Sequence, residues 1–481
     1  MHVRPTVAGL TLLLLAILLI IPRVDLRADP PPIESFESEY NKVRGRGEKG
    51  ITEKYTGVHV YWKDGLHLDG RRKNFTIRIG GRVLADGGNI DANDELQAAF
   101  PGLDGYEADF RSLRISASGT IRALSAIKKE GETSEGVLPT IRGRVTSYAP
   151  YDVLEFKFQI EFANVQEIKD NWVRFPRIPF LRHLRFGHLR EPFSLEDLTP
   201  LTNTTFMERA LPNQAFAIGR NMGIRYDKAI LDERMTVGAG WFLNTGSFED
   251  VGEATDRISE ANGFNITARV TGLPWYDEEA ARLLHLGLSY SHGVRDDKDE
   301  DDSVGFRTRP ETLLTDDRLV DTGGFLADRL NRINPELAIV SGPLSFQAQY
   351  FHTFTNADDE GDPDFWGFYV YGSYFFTGEN RSYDTSTGSF SRVKPERNFH
   401  PLQGGWGALE LGLRYSFIDL NDEAIKGGKE SNFTAGLNWY LNPRARFMLN
   451  YIYANAKDRG TPPEVDNGRA NIVQARFQIA Y

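Results

Sequence analysis

The 481-residue chain contains no cysteine. Disulfides, a thiol nucleophile and a Cys-ligated metal are therefore excluded. Long apolar runs are almost as scarce. The one candidate, Val7 to Ile21 behind Arg4, is too short to span a bilayer comfortably but has the length of an export signal. No run of 18 apolar residues follows it, so a membrane role would have to fall to strands closed into a barrel. Positive charge is in deficit, with 56 Lys and Arg against 67 Asp and Glu, which argues against a nucleic-acid partner. Catalytic signatures are missing too. There is no G-x-S-x-G, H-E-x-x-H or P-loop, and the nine His are scattered. Asp91, Asn93, Asp94 and Glu95 lack the spacing of a calcium loop. An enzyme is not expected, and no cofactor or metal is called for.

Aromatic residues and glycine are abundant: 31 Phe, 19 Tyr, 7 Trp and 46 Gly, yet the mean hydropathy is −0.41. That combination suits strands that are apolar on one face only. Ile472 to Tyr481 shows the pattern clearly. Val473, Ala475, Phe477, Ile479 and Tyr481 alternate with Gln474, Arg476 and Gln478, and the chain ends on the aromatic ring. The same period of two recurs at Leu154–Phe162, Leu284–Tyr290, Trp366–Phe376, Leu409–Phe417 and Phe433–Tyr453. It predicts sixteen strands: 74–86, 108–122, 152–163, 168–175, 181–190, 216–227, 233–245, 263–273, 282–293, 333–342, 344–356, 364–376, 406–418, 430–441, 444–455 and 470–481. Most have the length of a tilted membrane strand, and their number is even.

The fold class is thus all-β: a 16-stranded antiparallel transmembrane β-barrel with a loop folded inward as a constriction. The domains read as a signal peptide over 1–28, a periplasmic segment with a small hairpin over 29–69, and the barrel over 70–481. Connections sort almost by parity into long (87–107, 191–215, 246–262, 294–332, 419–429 and 456–469) and tight, such as Asn442-Pro443 and Gly342-Pro343. Residues 123–151 and 377–405 break the rule. Each is either a true excursion or conceals a hairpin. Segment 191–220, with Phe193, Leu195, Phe206, Met207 and Leu211 among charges, is the candidate constriction loop; the alternative is a surface loop over a satellite core.

If the apolar face meets lipid, the opposite face lines a pore. That phase carries Arg78, Arg82, Arg114, Lys157, Arg225, Arg269, Arg414, Arg446 and Arg476 against Glu155, Glu161, Glu336 and Glu410. Arginine stays charged and presents a planar fork of donors to oxyanions, so a basic bore would favour anions. The competing reading is that these arginines pair with neighbouring carboxylates and fill the wall. A weakly selective or cation-preferring channel is the alternative function, and a barrel with a binding or hydrolytic role is a remote one.

Particular pieces carry a resemblance. They include IRIGGRVLAD at 77–86, FRSLRISASGT at 110–120, FKFQIEFAN at 156–164, GHLREPFSLEDLTPLTNTTFMERALPNQAFAIGRNMGI at 187–224, GGWGALELGLRYSFIDLND at 404–422 and GLNWYLNPRARFMLNYIYA at 436–454. In these, and in their order, the sequence resembles the phosphate-selective porin O and P family. The resemblance implies an outer-membrane porin, homotrimeric, passing small inorganic phosphate-like anions. Its expected partners are outer-membrane lipid and, through the last strand, the barrel-assembly machinery. The family's constriction residues fall on Arg82, on Arg111 of Phe110-Arg111-Ser112, on Arg307 and Arg309 of a long loop, and on Asp170. A second arginine of the family is Ser112 here, and a lysine of phosphate-specific members is Asp197. With Arg78, Arg114, Arg225 and Arg414 from the phase count, these complete the expected pore lining. General anion preference survives the two departures better than phosphate specificity.

Overall fold

The computed structural model describes residues 58–70, 74–122, 153–163, 166–246, 261, 263–279, 281–295, 303–357 and 360–481. The expected signal peptide, residues 29–57 and all of 123–152 lie outside the described residues.

Sixteen antiparallel strands close into a barrel. In chain order they are β3 (Phe75–Ala92), β4 (Gly105–Arg122), β5 (Val153–Glu161), β6 (Glu167–Arg174), β7 (Leu184–Arg190), β8 (Arg220–Ile230), β9 (Met235–Leu243) and β10 (Phe264–Asp277). The second half comprises β11 (Arg282–Val294), β14 (Arg329–Ser341), β15 (Leu344–Asn356), β16 (Asp364–Phe375), β19 (Ala408–Asp422), β20 (Ile425–Asn442), β21 (Ala445–Arg459) and β22 (Val465–Ala480). Each pairs with the next, and β22 pairs back onto β3 from Ala470↔Ala92 to Ala480↔Arg82. Closure removes every edge from the spanning sheet. A hairpin of β1 (Val58–Trp62) and β2 (Leu66–Gly70) adds to the first residues of β3. Its turn places Asp64 and Gly65 at φ 55° and 131°, which glycine accepts at no steric cost.

The seam is tight. Tyr481 and Gly81 exchange backbone hydrogen bonds of 2.9 Å in both directions. A Cβ on Gly80 would sit 2.5 Å from the Tyr481 carbonyl, so only glycine fits there. Along β20 to β22 the odd-numbered residues face outward, as the alternation predicts. Trp439, Phe447 and Phe477 stack around the periplasmic rim, with ring centroids 6.1 and 4.8 Å apart. Phe433, Tyr451 and Tyr453 belong to the exposed outer aromatic belt.

One expectation about connections is corrected and one open alternative is decided. Segments 419–429 and 456–469 are mostly strand, leaving only 423–424 and 460–464 between strands. The ladder continues above the lipid, where the outward residues turn polar (Lys429, Lys457, Arg469), so the apolar alternation fades while the hydrogen bonding does not. Segment 377–405 contains no missed barrel hairpin. It holds a small ladder, β17 (Tyr383–Asp384) with β18 (Ser389–Phe390), that folds into the bore.

The apolar core lies inside the barrel, not in the wall. Phe193, Phe206, Leu211 and Phe216 of the 191–219 loop pack with Phe306, Val320 and Phe325 of the 295–328 connection and with Phe351, Phe365 and Ile418 of the wall. The 295–328 connection forms a ladder of its own, β12 (Arg307–Thr308) with β13 (Val320–Asp321). This packing fills the bore beside β15 to β20. It leaves the side beneath β3 to β8 open. Among the described residues no helix is long and apolar enough to cross a membrane.

Candidate functional site: a basic passage beside the inward loop

Beyond helix α1 (Asp94–Ala99), which lies between β3 and β4, three short helical turns shape the inward loop: α2 (Leu195–Leu198), a 3-10 turn (Leu201–Asn203) and α3 (Leu211–Phe216). Ser194, at φ 69°, caps α2 by accepting from the Asp197 N–H, and its Oγ donates to Asn213 Oδ1 at 2.6 Å. The loop is thereby folded on itself before it meets the wall.

Three arginines of the wall then hold it by its backbone. Arg414 Nη1 donates to the Glu208 carbonyl at 3.0 Å, Arg446 Nη1 to the Thr204 carbonyl at 2.8 Å and Arg476 Nη1 to the Met207 carbonyl at 2.6 Å. Their carboxylate partners complete the attachment. Arg476 meets Asp86 and Glu208, each at 2.6 Å. Arg414 pairs with Glu311, a residue of the 295–328 connection at φ 56° whose carboxylate also accepts from Leu211 N, Ser416 Oγ and Thr434 Oγ1. Burial alone would raise the Glu208 carboxyl, but the Arg111 and Arg476 guanidinium groups hold it at about 2. Burial pushes Glu196 up to about 7 despite Arg414 and Arg209 nearby.

From the other end, segment 377–405 docks against the same loop. Arg381 Nη1 donates to Gln347 Oε1 and to the Tyr371 hydroxyl, and its guanidinium lies 3.6 Å from the Phe390 ring centroid. Arg269 Nη2 donates to the Gly388 carbonyl at 2.8 Å, and Tyr383 Oη lies 2.7 Å from His285 Nδ1. Phe390 packs on Leu195 of α2. A buried wall cluster supports this contact: Arg269 and Glu336 pair at 2.7 Å, with Ser289 donating to the same carboxylate.

What stays open is a cavity of about 420 Å³. Seven basic side chains line it: Arg78, Arg82, Arg114, Lys157, Arg190, Arg220 and Arg392. The acidic side chain among them is Asp170, and the C-terminal residue Tyr481 borders the same space. A second cavity of about 340 Å³ shares Lys157, Asp170, Arg190, Leu198, Pro200 and Asn203 with the first and adds Arg185 and Arg225. Asp170 is clamped by Lys157 and Arg220, both at 2.6 Å. Arg82 donates to Ser112 Oγ at 2.7 Å, and Ser112 donates on to Glu161. Glu161 also takes Arg114 at 2.9 Å.

The expected lining residues divide accordingly. Arg78, Arg82, Arg114 and Asp170 border the first cavity and Arg225 the second. Arg111 is turned to Glu208 at 2.7 Å. Arg414 is 1% exposed, locked to the loop and stacked 4.4 Å from the Phe206 ring. Asp197 is buried between Arg190 and Arg209 at 3.5 and 3.6 Å. Arg307 sits exposed in the β12–β13 ladder, and Arg309 pairs with Asp316; neither borders the two cavities. Sequence reasoning did not single out Arg190, Arg220 or Arg392. The first two flank the inward loop at its roots, a position that would have flagged them. Arg392 lies in an excursion that carries no periodic signal.

A closed sixteen-stranded barrel with a loop folded across its bore, and a polar passage left beside that loop, defines an outer-membrane porin channel. The chain belongs to the phosphate-selective porin O and P family, whose model matches residues 77–481. It is 24% identical to Porin O of Pseudomonas aeruginosa over 469 residues, covering 89% of this chain and 94% of that one. An uncharacterised protein of Caulobacter vibrioides is 27% identical over 475 residues, covering 96% of this chain and 85% of its own. Among solved structures, an anion-selective porin from Comamonas acidovorans aligns over 85% of this chain and 100% of its own at 12% identity, with a TM-score of 0.44.

Proposed function

We propose that this porin passes small anions in preference to cations and has no tight site for inorganic phosphate. The supporting observation is the lining of the larger cavity, where seven basic side chains face Asp170. Several of these cations are only partly neutralised. Arg190 is 3.5 Å from its carboxylate partner, and Arg82 and Arg114 share Glu161. The remaining excess raises the local anion concentration. Phosphate specificity is disfavoured at two places. Ser112 stands where the family has a second arginine, and it spends its hydroxyl on Glu161. Asp197 neutralises Arg190 and Arg209 instead of adding a cation. Export through residues 1–28, assembly through the terminal strand and a homotrimeric state complete the proposal. The test is single-channel recording in chloride with phosphate titrated in. Weak block, requiring phosphate well above millimolar, is expected; block at micromolar phosphate would overturn the unspecific reading.

A further inference from the structure

The open passage is not uniformly polar. Where its two cavities meet, Leu198 and Pro200 of the inward loop border both. Leu195, one turn earlier, is fully buried against Phe390, whereas Leu198 is half-buried and Pro200 is exposed. They are therefore not spent on packing the loop. The second cavity is also lined by Trp172 of β6, half-buried, with the Arg185 guanidinium 4.9 Å from its ring centroid. Lys157, Arg190 and Arg225 line the same cavity, where with Arg185 they outnumber the two carboxylates, Asp170 and Asp384. A hydrated inorganic anion gains nothing from leucine, proline or indole. A flat apolar body bearing a carboxylate gains from both surfaces at once.

We propose that the passage is matched to organic anions with a compact aromatic body, the aryl carboxylates, with Trp172 and Leu198 as the residues that distinguish them from bare anions. This rests on the anion-preferring reading above. The apolar wall guides the ring while the cations hold the carboxylate. The polar share of the fit belongs to any anion, and the ring supplies the specificity.

The test is chloride current through the full-length protein in planar bilayers, titrated separately with benzoate, acetate and inorganic phosphate. Acetate carries the same charged group without the ring. Half-block by benzoate is expected at about a tenfold lower concentration than by acetate or phosphate. Trp172→Ala and, separately, Leu198→Ser should bring benzoate to the acetate value, each block being scaled to that variant's own chloride current. Equal block by benzoate and acetate overturns the proposal, as does stronger block by phosphate, or benzoate block that neither variant changes. A cation-directed reversal potential in the wild type would instead sink the anion-preferring reading itself, so the two failures are distinct.

Discussion

Arg476 and Glu208 meet at 2.6 Å across the bore, one on the strand that closes the barrel and the other on the loop that narrows it. The same guanidinium holds Asp86 of the first barrel strand and the Met207 carbonyl. One side chain thus ties seam, wall and constriction together. Replacing Arg476 by Met should leave buried Asp86 without its partner and Glu208 with Arg111 alone, at a cost of about 3–5 kcal/mol. The expected outcome is a lowered unfolding temperature, read by electrophoretic heat-modifiability, together with noisier single-channel current. A variant with wild-type melting and quiet current would contradict that role.

The inward loop should respond to pH through Glu196. Its carboxyl is raised to about 7 by burial, from an ordinary value of 4.5. A raised acid is favoured in its protonated, docked form. The stability it lends is full below pH 4.5 and is lost as pH rises through about 7. Current fluctuations should therefore grow between pH 5 and 8 in the wild type and flatten in Glu196→Gln. Glu208, held at about 2, acts in the opposite sense, and its contribution disappears only as pH falls from 4.5 toward 2.

Asp170 is the acidic side chain of the larger cavity and is clamped by Lys157 and Arg220. Lys157→Gln should leave its charge half-compensated and lower the anion-to-cation permeability ratio by about twofold or more; Asp170→Asn should raise it by a similar factor. Reversal potentials of both variants in one salt gradient check the pair. Shifts of the same sign would contradict the account.

Much of this architecture was legible in the sequence. All sixteen strands follow from a period of two, because each must show one face to lipid and the other to the bore. Parity tells which side a residue takes; it does not tell which partner it finds. Arg269, Arg414, Arg446 and Arg476 were placed on the correct face by phase, yet the structure spends them on Glu336, Glu311, loop carbonyls and Asp86. Those contacts join residues more than 60 positions apart and leave no local trace. Tyr383–Phe390 escaped for a related reason: its strands are two residues long, below any periodic signal, and tertiary contacts from Arg269, His285 and Leu195 hold it in place.

Excision of residues 383–391 should widen the passage by removing the segment that fills the bore from the periplasmic end. Conductance in 1 M KCl should rise by about twofold, with the barrel still inserting, since the excised ladder pairs with no barrel strand. Unchanged conductance would mean that the segment does not bound the conducting path.

The most direct measurement is the reversal potential of the wild-type channel in a tenfold KCl gradient. A basic passage predicts a potential displaced toward the chloride equilibrium value and suppressed in Lys157→Gln. A potential displaced toward the potassium value would contradict the central claim, however well the barrel conducts.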